Sequence, residues 1–226
     1  MTRDFRLFIL LPTAAFLLGN VVLIVGGGDL LLGDLVFRLQ GSQWQMRDAW
    51  LTNQLIHDQG RNLVAALLLA LLSAIALSHF KQSVRPYRKG LYYVLVSALI
   101  TVAIVNLMKE YSALDCPWDL ARYGGEKTFI SLFDPRLEGQ SPGACFPAGH
   151  ASGAYCWLGL FFLARHFRPQ WRFKVLGGVL TLGLIFGVAQ QLRGAHFISH
   201  DLWTLYISWM SACLCYFYLF RMEPMH

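Results

Sequence analysis

Charged residues are scarce in this chain. Asp, Glu, Lys and Arg make up 14% of its 226 residues, against about 25% in an ordinary soluble domain. That shortage excludes a soluble domain with a conventional charged surface. A small-x-small cleavage site is also missing after the first apolar stretch, where residues 7–25 run straight into Gly26-Gly27-Gly28-Asp29. The stretch is therefore expected to stay in place as an uncleaved span. No internal repeat and no low-complexity tract is present. The formal net charge of +6 is not gathered into a basic groove but lies in short loops between apolar runs. That distribution orients membrane spans, and no nucleic-acid partner is expected.

What is abundant is apolar: 56% of the residues are hydrophobic, and they cluster in long runs. Six of these are long enough to cross ~30 Å of hydrocarbon at about 1.5 Å per residue. They are residues 7–25, 63–80, 91–108, 151–167, 175–189 and 202–220. The expected fold is all-α, an integral membrane six-helix bundle forming a single domain over residues 1–226. The fifth run is short and carries Gly177, Gly178, Gly183 and Gly187, which suits close helix packing.

The loops set the sidedness. Lys81, Arg85, Arg88 and Lys89 lie between the second and third runs with no acid among them. Arg165, Arg168, Arg172 and Lys174 do the same between the fourth and fifth. Both loops are expected on the cytoplasmic side, with both termini, and Arg3, Arg6 and Arg221 agree. Residues 26–62, 109–150 and 190–201 then face outward. Within the first of these, 29–39 and 44–56 are expected as short helices, the second placing Trp44 and Trp50 near the interface.

The outward ends of the spans carry the chemistry. Lys109 closes the third run, Phe146-Pro147-Ala148-Gly149-His150 opens the fourth, and Arg193, His196 and His200 sit between the fifth and sixth. Titratable groups at membrane depth are costly, so each is a functional candidate. The topology, drawn from loop charge alone, places all of them on one side.

Their order resembles the type-2 phosphatidic acid phosphatase superfamily of membrane lipid phosphatases, which reads K-x6-R-P, then P-S-G-H, then S-R-x5-H-x3-D. Here the motif region, 109–201, gives Lys109-x6-Cys116-Pro117, then Pro147-Ala148-Gly149-His150, then Gly194-Ala195-His196-Phe197-Ile198-Ser199-His200. The departures are specific. Cys116 stands in place of the first-motif Arg, Ala148 in place of Ser, Gln190 in place of the third-motif Arg and His200 in place of Asp. Arg193, one turn from Gln190, could supply a guanidinium from the same face, and Arg122 could stand in for the Arg lost at Cys116. Asp201 adjoins the family's Asp position but points elsewhere on a helix.

The resemblance implies a lipid phosphatase of the bacterial inner-membrane type, with an outward-facing site. Lys109, Arg193, Arg122 and backbone N–H groups near Gly149 would hold the phosphate. His196 would be the nucleophile that forms a phosphohistidine, His200 its orienting partner, and His150 the general acid and then base. The scheme calls for no metal and no cofactor. The partners it implies are the bilayer and a lipid phosphate or diphosphate, such as undecaprenyl diphosphate, phosphatidate, phosphatidylglycerol phosphate or lipid A. His196-x3-His200 is also a two-ligand metal spacing, but it lacks the Glu of H-E-x-x-H. Rival readings are a lipid phosphotransferase using the same site, a small transporter or binding protein, and a relative that has lost its activity. Cys156, Cys213 and Cys215 are expected simply to pack. Cys116 and Cys145 share the outward loop and are either a disulfide or two free thiols.

Overall fold

The computed structural model describes residues 3–135, 139 and 141–220. Among these, the regular structure is helical apart from one isolated bridge between Leu120 and Lys127. Helix α1 covers Arg3–Val25, α2 Gly28–Leu39, α3 Trp50–Phe80 and α4 Arg88–Ser112. Helix α5 covers residues 149–167, α6 Arg172–Leu192 and α7 Ile198–Leu219. Arg221, which the sequence reading placed on the cytoplasmic side, lies outside the described residues.

The expected six-helix count is not what the described residues show. There are seven helices, and five of them (α1, α3, α4, α6 and α7) are long and apolar enough to cross a membrane. The expected fourth span, 151–167, is α5, which falls short on composition, with His150, Arg165 and His166 among few aliphatic residues. Ala151, Tyr155, Trp157, Leu158, Phe161 and Phe162 are all buried in the main core, with Tyr93 and Val94 of α4 and Cys213 and Tyr216 of α7. A helix walled in by protein does not need the aliphatic surface that lipid demands. Small and aromatic residues pack it instead, and a 3-10 turn at Cys156–Leu158 adjusts its course.

Two other boundaries also move. Residues 44–56 do not form a separate short helix. The chain turns at 44–48, and Trp50–Asp58 is the loosely wound start of α3, continuous with Gln59–Phe80. The fifth run extends past 175–189 at both ends, because Arg172 and Gln190 to Leu192 continue the same helix in polar surroundings. Of its four glycines, Gly183 faces the Tyr155 ring and Gly187 faces Asp201, while a Cβ on Gly177 or Gly178 would meet nothing within 4 Å.

The C-terminal ends of α4 and α6 and the N-terminal ends of α5 and α7 share one end of the bundle. Helix α2 bridges the last two connections to it. Asp29 Oδ1 accepts the Ser199 N–H at 3.0 Å, an N-terminal cap for α7 that contributes about 1 kcal/mol. At the far end of α2, Gln40 Nε2 donates to the Leu192 carbonyl at 2.9 Å. The basic connections 81–87 and 168–171 lie at the opposite end. There Arg165 belongs to α5 and is paired with Asp4 of α1 at 2.8 Å, so its charge is locally balanced.

Candidate active site

Hydrogen bonds tie the three motif segments to one another. Ser112 Oγ at the end of α4 donates to the Phe146 carbonyl at 2.7 Å, and the Cys145 N–H donates to the Leu114 carbonyl at 2.9 Å. A Cys116–Cys145 disulfide, with Cα atoms 5.2 Å apart, closes the same junction, so these two cysteines are paired. Cys156, Cys213 and Cys215 are free and buried. The Ala148 N–H then donates to the His200 carbonyl at 3.2 Å. Thr204 Oγ1 reaches both the Ala148 carbonyl at 3.1 Å and the His200 carbonyl at 3.0 Å. The loop before α5 is thus bonded to the end of α4 on one side and the first turns of α7 on the other.

This frame sets the side chains. Gly149 opens α5 directly beneath Lys109: a Cβ there would sit 2.9 Å from Lys109 Cε and 3.0 Å from Nζ. Only glycine leaves the ammonium that place. Gly194 shapes the turn before α7. Its φ of +75° is the left-handed region, and a Cβ would lie 2.4 Å from the Trp44 ring. The turn delivers His196 to a buried position where its Nδ1 stands 3.3 Å from His200 Nδ1. The Cys145 backbone carbonyl lies beside both rings, and Phe146 meets His200 edge-on at 5.2 Å. Burial, reinforced by nearby His200 and Lys109, holds His196 well below the ordinary histidine pKa. The imidazole is therefore neutral at neutral pH.

His150 sits between two rings, with the His57 centroid 4.7 Å away and that of Phe186 4.5 Å away. Arg193 is buried and near enough to act on His150 electrostatically. Its Nε donates to the Arg47 carbonyl at 2.8 Å and its Nη1 to Gln190 Oε1 at 3.4 Å, so Arg193 and Gln190 do share a face. Among the described residues neither Lys109 nor Arg193 forms an ion pair. Among the described residues, His196 and His200 are joined by no third His, Cys, Asp or Glu in a cluster able to hold a metal ion.

One candidate is placed elsewhere, and Asp201 lies where the sequence reading put it. Arg122 is exposed and forks onto Asp34 of α2, with Nε at 2.7 Å and Nη2 at 2.5 Å, and that pairing holds the Asp34 carboxyl below its usual range. Asp201 turns away from His196: it lies over Gly187 and accepts from Gln191 Nε2 at 2.8 Å. The residue that sequence reasoning missed is His57. Its only signal was a His-Asp pair, His57-Asp58, just ahead of the second apolar run.

The geometry thus joins Lys109, His150, His196 and His200 from three separate stretches of chain. Over residues 90–223, more than half of the chain, the sequence matches the family model described as the PAP2 superfamily. No curated protein and no solved structure matches it. With its motif segments in family order and bonded together at one end of an all-helical bundle, the chain belongs to the PAP2 superfamily.

Proposed function

We propose that this protein is a membrane lipid phosphatase that hydrolyses a lipid phosphate or diphosphate at an outward-facing site. Family membership supports phosphoric ester hydrolysis in general. The observation that carries the finer reading is the buried His196, its Nδ1 3.3 Å from His200 Nδ1, with Lys109 close by and in no ion pair among the described residues. A phosphate ester is anionic, so a hydrolase must neutralise its oxygens, present a nucleophile in line and protonate the leaving oxygen.

The 3.3 Å contact between the two Nδ1 atoms supports one tautomer assignment. If His196 Nδ1–H donates to His200 Nδ1, the His196 Nε2 lone pair is free to attack phosphorus. The Nε2–P bond forms, the P–O bond to the lipid breaks, and the leaving oxygen takes a proton that His150 has first drawn from the monoanionic phosphate ester. Water then attacks phosphorus, its proton returns to His150, and the Nε2–P bond breaks to release phosphate. Lys109, Arg193 and the first N–H groups of α5 stabilise the charge on the phosphoryl oxygens. Arg122 has no part in this scheme, since Asp34 occupies its fork. The basic connections at the far end of the bundle support a cytoplasmic placement for that end, which turns the site outward.

The test is phosphate release by detergent-purified protein from a panel of lipid phosphates and diphosphates, with and without EDTA. Release should survive EDTA on at least one substrate. Lys109→Met should lower kcat/KM on that substrate by roughly 10- to 100-fold, the loss of one charge-assisted contact. Release abolished by EDTA would move the case to a metal held by His196 and His200. No release across the panel by folded protein would overturn the phosphatase reading.

A further inference from the structure

The family match begins at residue 90, yet one wall around His150 is built by the first turns of α3, well before it. His57 lies on the face of the His150 ring at 4.7 Å between centroids and 30° between planes, with Phe186 on it at 4.5 Å and 28°. The Ile56 backbone carbonyl also reaches His150. Gly60, one turn further along α3, leaves the gap that the stack needs: a Cβ there would stand 3.3 Å from His150 Nε2 and 2.8 Å from Phe186 Cζ. His150 Nε2 itself is buried with no hydrogen-bond partner among the described residues. His57 is not an isolated ring either. Its Nδ1 is 3.2 Å from Asp58 Oδ1, and Asp58 also receives Arg61 Nη2 at 3.2 Å.

We propose that His57, oriented by Asp58, is a positioning residue for His150, fixing its ring plane and opposing a second proton on the stacked pair. The proposal rests on the reading of His150 as general acid and base. Two imidazolium rings face to face at this distance would repel each other, so a charge on one opposes a charge on the other. The other charged or titratable groups around the pair are Arg61 on α3, Arg193 after α6, Lys109 on α4 and His196 ahead of α7, and none of them is an acid. Asp58 is the carboxylate hydrogen-bonded to the pair, and it sits on the His57 side. A charge on His57 therefore makes His150 a stronger acid, which favours donation to the departing lipid oxygen. Phe186 on the opposite face stops the ring from turning away.

The test uses the full chain in detergent, with ring-15N histidine labelling and titration by NMR. The His150 signal is assigned by its loss in His150→Gln. In His57→Phe, which keeps the stack and removes the charge, the His150 midpoint should rise by about half a unit to one unit. His57→Gln serves as a second neutral variant should the Phe variant fold poorly. An unmoved midpoint in a folded variant would overturn the coupling.

Kinetics separate this inference from the reading beneath it. On a lipid phosphate with an alcohol leaving group, His150→Ala and His57→Ala should both lower kcat, the second by roughly tenfold with KM within twofold. On p-nitrophenyl phosphate, whose leaving group departs without a proton, both deficits, read in the p-nitrophenol burst that precedes the water attack, should shrink to within about threefold. If His150→Ala shows this dependence and His57→Ala does not, the His57 inference fails alone. If His150→Ala loses equally on both substrates, the general-acid reading fails and takes the His57 inference with it.

Discussion

His196→Ala is expected to lower phosphate release by roughly a thousandfold or more, while the protein stays folded. Loss of a covalent nucleophile is among the largest single-residue effects on an enzyme, because the groups around it act as a unit. Nothing nearby can replace it. His200 is buried behind it with Nδ1 turned toward Nδ1 of His196, and His150 is held between His57 and Phe186. His200→Ala is expected to cost less, roughly 10- to 100-fold, since it removes the hydrogen bond that sets the His196 tautomer but leaves the attacking nitrogen. The sign of the His196 pKa shift agrees with the role proposed for it. Burial lowers the pKa, so the unprotonated form persists as pH falls through the ordinary histidine range. Initial rates on the best substrate of the panel, with thermal melts of each variant, would measure both effects.

The largest effect on stability is expected at Gly183, far from any phosphate contact. Tyr155 of α5 is 2% exposed and lies flat against the backbone of α6. A Cβ on residue 183 would stand 1.9 Å from Tyr155 Cε1 and 2.4 Å from Cδ1, a separation that no side chain tolerates. Tyr155 has little room to yield, since it sits in the main core with Leu158 and Phe162. Gly183→Ala should therefore cost about 3 kcal/mol or more, and Gly183→Leu should fail to fold. Gly178 on the same helix is the control. A Cβ there meets nothing within 4 Å, so Gly178→Ala should be neutral or stabilise by about 0.5–1 kcal/mol through helix propensity. Chemical denaturation in detergent would compare the two. Gly183→Ala melting with the wild type would refute the α5–α6 packing described above. Because α5 begins at Gly149 and His150, a displaced α5 should also lower activity.

Much of this architecture was legible because lipid imposes a simple rule on sequence. Where a helix faces hydrocarbon its residues are aliphatic for nearly twenty positions, and α1, α3, α4, α6 and α7 were readable on that basis. Helix α5 answers to a different rule, since its neighbours are protein, and its run of Ala, Gly, Tyr, Trp and Phe suits a core position rather than a lipid-facing one. The motif residues were legible through their spacing and order, and the sequence reading of Asp201 as pointing elsewhere agrees with its bond to Gln191. The pairing of Cys116 with Cys145 was left open in the sequence, because spacing carries no information about whether two Cβ atoms approach. Two features were not legible at all. Asp34 captures Arg122 across 88 residues, and His57 meets His150 across a helix pair. Neither pair has a periodicity or a spacing to announce it, and only tertiary packing brings its members together.

The central claim is that phosphorus is transferred to His196, and acid-labile, base-stable label on that residue tests it most directly. Purified protein would be mixed with 32P-labelled lipid phosphate, quenched in alkali within one turnover and digested for mass spectrometry. Label should appear on the peptide bearing His196. It should accumulate in His150→Ala, where resolution by water slows, and vanish in His196→Ala. Label on another residue, or turnover without label in a quench fast enough to catch it, would contradict the account.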